Sequence, residues 1–231
     1  MILSCIIFKS ILILYILKQV FQKPKHRNII TFRKTRQGFF ETPNRSSIDF
    51  LENRKYNICM DIMIKEALAN SMRSFHLPRY AELPNVGLYL EQTTKYINQC
   101  LTPLGCVEIT SSMIRNYVKQ GLVVNPVQKQ YYADQIAHLI SITILKQATP
   151  LEHISKLFSR QQKVYTDQIA YDYFCTEIEN ILYFRFGLKD SIDDVGVTSS
   201  LEKEMLRSAI TAVSHIIYLN ACFQQLEQHN Q

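Results

Sequence analysis

From Ile62 onward the apolar positions of the chain recur with a helical period. Ile62 to Phe75 reads as a helix that Leu77-Pro78 ends, and Leu83-Pro84-Asn85 marks a turn after it. A second helix is predicted over Leu88 to Leu101, with Leu88, Leu90, Tyr96, Ile97 and Leu101 apolar. A shorter one runs from Ser111 to Gln120. Thr110 or Ser111 can accept an orphan N–H of its first turn, Met113, Ile114, Tyr117 and Val118 share one face, and Gly121 suits a left-handed exit. From Ala133 the period resumes with Ile136, Leu139, Ile140 and Ile144, and Ile142 and Leu145 widen that face. Thr149 is placed to cap a further helix, with Pro150 at its first position and Leu151, Ile154, Leu157 and Phe158 buried. Val164 to Phe186 and Leu201 to about Leu226 complete the series, separated by Gly187 and the acidic loop Asp190 to Asp194. With only 6 Gly and few turn clusters, the predicted fold class is mainly α.

The stretch from Ile109 to Phe158 carries the candidate chemistry. The polar face of its first helix holds Ser112, Arg115, Asn116, Lys119 and Gln120, with no carboxylate. Arg and Lys pair with phosphate or guanine, and Asn and Gln pair with adenine. The plain alternative is a solvated helix face. After Gly121 come Leu122-Val123-Val124, the turn signal Asn125-Pro126, and a return carrying Lys129, Tyr131 and Tyr132. That order predicts a small β-hairpin within 121–132, with Lys129 near the tip and able to reach a phosphate. Helix, hairpin and two following helices predict a winged helix-turn-helix. Helix 111–120 would enter the major groove of double-stranded DNA through Ser112, Arg115, Asn116, Lys119 and Gln120, and the wing 121–132 would touch its backbone through Lys129, Tyr131 and Tyr132.

The order Arg115-x-Tyr117, Gly121-Leu122, Pro126, Tyr132, apolar helix and short closing helix resembles the MerR-type regulators. The likeness implies a recognition helix around Arg115 and Tyr117, and a closing helix over Ile154 to Phe158. Asn116 stands where that family has a Tyr, the wing lacks its Tyr-Arg pair, and the turn before Thr110 is long. A closer resemblance is to the domain of unknown function family 1836. It rests on Pro84-x-x-x-Leu88-Tyr89-x-x-Gln92, Met113-Ile114-x-Asn116-Tyr117-Val118-Lys119 and Leu145-Lys146-Gln147, and covers about Leu83 to Arg160.

Charge changes the picture less than its total suggests. The net charge is +6, but residues 1–59 hold 11 Lys and Arg against 3 Asp and Glu. Residues 60–231 hold 15 against 17, so the basic balance belongs to the N-terminal extension. Within 109–160 the balance turns positive again, with Arg115, Lys119, Lys129, Lys146, Lys156 and Arg160 against Asp134 and Glu152. Segment 2–21 is strongly apolar, interrupted by Lys9 and Lys18, and residues 22–59 read as disordered. Two accounts fit the extension. It can be translated from an upstream Met, with the true start at Met60 or Met63, or it can be a membrane anchor that keeps the domain in the cytoplasm. The central Lys9 favours the first, and with it a cytoplasmic protein that folds from Met60 alone.

The 6 Cys are scattered, with no C-x-x-C pair and no His at a ligand spacing. No metal, cofactor or catalytic constellation is expected: P-loop, G-x-S-x-G and H-E-x-x-H motifs are all missing. His138 and His153 read as packed or surface residues. The domain organisation expected is therefore an extension at 1–59, a winged helix-turn-helix core with a leading helix at 60–160, and a helical region at 161–231. The helix from Leu201 to Leu226 is apolar on more than one stripe and is expected to form a homodimer. Changing Ile210 and Val213 to Asp should then give monomers. The expected function is DNA-binding transcription regulation, not enzymatic. The alternative is a helical protein-interaction module on the same fold.

Overall fold

The computed structural model describes residues 45–105, 107–196 and 200–229, with side chains from Ile58 to Gln228. Residues 46–231 fall in one compact unit. The apolar segment 2–21 lies outside the described residues. Among those described, no helix is long and apolar enough to cross a membrane.

The described chain is mainly helical: α1 (Arg45–Met72), α2 (Leu90–Leu101), α3 (Ser111–Lys119), α4 (Ala133–Leu145), α5 (Leu151–Gln161), α6 (Asp167–Arg185) and α7 (Leu201–His229), with short strands β1 (Leu88–Tyr89) and β2 (Gln130–Tyr131). The centre is α4. Ile136, Leu139, Ile140, Ile142, Ile144 and Leu145 are all fully buried, so this helix is covered on every side, by α2, α5, α6 and α7. Its two hydroxyls do not disturb that core. Ser141 donates to the Ala137 carbonyl at 3.0 Å and Thr143 to the Leu139 carbonyl at 2.6 Å, each satisfied within the helix. The long helices α6 and α7 pack along each other, burying Phe174, Ile178 and Ile181 against Leu206, Ile210, Val213 and Ile217.

Residues 73–83 stitch the leading helix to α6. Arg79 gives Glu179 a two-pronged ion pair, Nη1 to Oε1 at 2.9 Å and Nη2 to Oε2 at 2.6 Å. The Leu77 N–H adds a third bond to the same carboxylate at 2.8 Å. The Tyr80 N–H donates to Asp172 Oδ1 at 2.7 Å, and the Tyr183 hydroxyl donates to the Phe75 carbonyl.

Several boundaries differ from the sequence expectation. Helix α1 begins at Arg45, so 45–59 is helical where irregular chain was expected. That stretch lacks an amphipathic period, but it also lacks Gly and Pro, and helix propensity carries it. Leu88 and Tyr89 form a strand instead of the start of α2, because their backbone finds a partner in β2: Leu88 pairs with Tyr131 and Tyr89 with Gln130, antiparallel. Pro150 itself is the N-cap of α5, with Thr149 outside it. Helix α6 starts at Asp167, where the Thr166 hydroxyl accepts the Ile169 N–H at 3.4 Å. Ile210 and Val213 are buried inside the protomer, so they cannot line an intersubunit contact. Changing them to Asp would put charge into the core and unfold the chain before it separated subunits.

Candidate nucleic-acid interface

Helices α2 and α3 are joined by a nine-residue connection held by side chains. Asn98 on α2 bonds both ways to Ile109, its Nδ2 donating to the carbonyl and its Oδ1 accepting the N–H, each at 2.9 Å. Ser111 at the start of α3 donates to Glu91 Oε1 at 2.8 Å and lies 3.0 Å from the Thr94 hydroxyl. Lys146 reaches back from the end of α4 to the Glu108 carbonyl at 3.1 Å, and burial pushes its ammonium below the usual lysine range. These bonds fix the angle between α2 and α3.

Helix α3 is capped as its residues suggest. The Thr110 hydroxyl accepts the Met113 N–H at 3.3 Å. At the other end Gly121 takes φ 72°, and the Leu122 N–H returns to the Tyr117 carbonyl at 3.0 Å. Ile114 and Tyr117 face the core, with Met113 and Val118 half-buried beside them. Ser112, Arg115, Asn116 and Lys119 are all exposed, as is Gln120, the C-cap residue, whose Nε2 lies 3.3 Å from Asn116 Oδ1.

The hairpin exists, but its turn lies elsewhere than expected. Val127 and Gln130 exchange both backbone hydrogen bonds, at 3.0 and 2.9 Å. The two residues between them, Gln128 (φ 50°) and Lys129 (φ 64°), are both left-handed. This is the backbone of a two-residue hairpin turn, usually built from Asn-Gly, so the Asn125-Pro126 signal lies outside it. Lys129 sits at the tip, exposed. Gln130 also pairs with Tyr89, so the return strand is held from both edges.

Tyr131 must leave the candidate contact set. It is 4% exposed, because its place in β2 turns the ring into the core. Burial raises its hydroxyl pKa, and the Arg115 charge opposes that rise. Tyr132 stays exposed; its N–H donates to Gln135 Oε1 at 2.6 Å. Gln135 in turn donates to the Asn125 carbonyl at 3.0 Å and holds the loop before the hairpin. Sequence reading missed these positioning residues, Asn98, Lys146 and Gln135, because their partners are backbone groups of distant loops.

The cations of 109–160 now divide. Lys146 serves the α2–α3 connection, Lys156 pairs with Glu152 at 2.6 Å, and Arg160 pairs with Glu202 at 2.6 Å. Among the described residues, Arg115, Lys119 and Lys129 have no ion-pair partner. Residues 78–177 carry a DUF1836 domain, a domain of unknown function. No curated protein and no solved structure matches the chain. The DUF1836 domain opens at Pro78 and closes in α6, and its two ends touch: the Cys175 thiol lies 3.8 Å from the Pro78 carbonyl. It contains all of α2 to α5 and both strands, so every residue of the candidate face lies within it.

Proposed function

We propose that the DUF1836 domain is a winged helix-turn-helix of MerR-like type that binds double-stranded DNA, within a cytoplasmic, dimeric transcription regulator. The observation that carries the reading is the division of cations. Arg115 and Lys119 on α3 and Lys129 at the hairpin tip are exposed and without ion-pair partners among the described residues, while Lys146, Lys156 and Arg160 are engaged. Asn116 and Gln120 supply amides on the same helix. Helix α3 would lie in the major groove, and Lys129 and Tyr132 would meet the flanking backbone. The strand before α2 paired with the hairpin return supports the winged form, since it anchors the wing to the helix pair.

The dimer in this proposal rests on α7. Met205, Ala209, Ala212, Ile216, Leu219, Phe223 and Leu226 alternate steps of four and three, the spacing of a coiled-coil seam. Met205, Leu219, Phe223 and Leu226 are 41–54% exposed on this stripe, which flanks the face buried in the protomer. A second copy would cover them, bringing two α3 helices to two half-sites.

The protein-interaction reading is favoured by a different feature. Val86, Tyr89, Val124 and Val127 are 55–73% exposed around the hairpin, and apolar side chains gain little from phosphates. Genomic immunoprecipitation separates the two. Discrete bound sites sharing a sequence support the regulator; a protein that co-purifies with partners and enriches no DNA supports the interaction module.

A further inference from the structure

The cleft bounded by the end of α5, the start of α6 and the start of α7 encloses about 180 Å³. That is slightly more than the roughly 150 Å³ engineered cavity that holds benzene. Its walls include the Tyr165 and Tyr173 rings and the aliphatic Ile169 and Ala170. Two polar groups on it keep donors that the fold does not use. Gln161 is 8% exposed, and its amide has no hydrogen-bond partner among the described residues. Lys203 gives one hydrogen bond to the Gly196 carbonyl at 2.9 Å and lies 3.8 Å from Asp194 Oδ1. It also lies 5.9 Å from the centre of the Tyr173 ring; with Asp194 beyond hydrogen-bond distance, the three donors of an ammonium leave one for a ligand. The acid on the wall, Glu202, is already held by Arg160 at 2.6 and 3.0 Å, which offsets its repulsion of an anion.

We propose that this cleft binds a single-ring aromatic carboxylate. The ring would lie between Tyr165, Tyr173 and Ala170, with the carboxylate taking N–H donors from Lys203 and Gln161. A single ring fits within the volume, and the aromatic walls favour a flat ring over an aliphatic chain. The inference does not depend on DNA binding.

Calorimetric titration of the full chain tests it with benzoate, benzamide and hexanoate as probes. Benzoate should bind saturably, with benzamide and hexanoate at least tenfold weaker. Lys203→Met should weaken benzoate at least tenfold and leave benzamide unchanged. Ala170→Leu, which fills the cleft, should abolish benzoate binding while the unliganded protein unfolds at an unchanged temperature. Absent saturable benzoate binding, equal affinity for benzoate and benzamide, or benzoate binding unaffected by Ala170→Leu would each overturn the proposal. Should Lys203→Met not fold, the benzoate-to-benzamide ratio on the unaltered protein still decides.

Discussion

Gly87 has no room for a side chain. A Cβ there would meet the Gln130 Cβ at 2.7 Å and the Tyr132 ring at 2.8 Å, so the strand pair β1–β2 closes only over a glycine. Gly87→Ala should lower stability by about 1–3 kcal/mol in urea denaturation, the usual range for overpacking. The hairpin turn stores strain of its own, with Gln128 and Lys129 both left-handed. Lys129→Gly relieves part of it, so this variant should be at least as stable as the parent while binding DNA more weakly. Lost stability in that variant would mean that the lysine serves the fold. Glu177 is a third case. It is buried, with Arg207 Nε 2.9 Å from its Oε1, and burial raises its pKa against the opposing pull of Arg207. A carboxyl raised on folding contributes stability that is complete below its unfolded pKa, ordinarily 4.5, and lost as pH rises through the folded value. Glu177→Gln should therefore flatten the fall in melting temperature from pH 4.5 toward neutrality. A parallel fall in parent and variant would contradict this.

At the scale of elements, α7 separates two roles that the sequence pattern left merged. Its apolar residues exceed one stripe, which is visible in the sequence, but which stripe faces inward depends on the register of α6 against it. Ile210 and Val213 proved internal, and Met205, Leu219 and Phe223 external. Leu219→Glu with Phe223→Glu should give monomers by sedimentation with the melting temperature nearly unchanged. If the parent already sediments as a monomer, the seam has another occupant. The tie between residues 73–83 and α6 is equally particular. Arg79→Ala leaves Glu179 with the Leu77 N–H and with His76 Nδ1 at 3.2 Å, so its cost should be about 1–3 kcal/mol, less than the roughly 3–5 of a fully buried pair losing one partner. Helices were legible wherever apolar spacing was regular: Ile136 to Leu145 and Met113 to Val118 lie where their period places them. The strand Leu88–Tyr89 was not, because two residues show no period and their partner is over forty positions away. The turn at Gln128-Lys129 was hidden for a related reason, since neither residue type favours positive φ.

For the whole molecule, Met60 is the first of the described side chains, which start at Ile58, to be set against the core. A chain starting there should keep the stability of the full one, as the sequence suggested, even though α1 reaches back to Arg45. The exposure of the candidate residues, though not their role, follows the sequence reading. Ser112, Arg115, Asn116, Lys119, Gln120, Lys129 and Tyr132 are exposed, and Tyr131 alone is withdrawn, since a strand two residues long gave no alternation to read. The measurement that tests the central claim most directly is the salt dependence of DNA affinity. The parent, Arg115→Ala and Asn116→Ala would be titrated against a selected duplex and its scrambled form at several salt concentrations. Asn116→Ala should shift sequence preference and leave the salt slope alone. Arg115→Ala should cost about 1–3 kcal/mol at one operator position if it reads a base. If it meets phosphate, it should lower the slope by roughly one ion on every sequence. Unchanged affinity in both variants, on both duplexes, would mean that α3 does not face DNA.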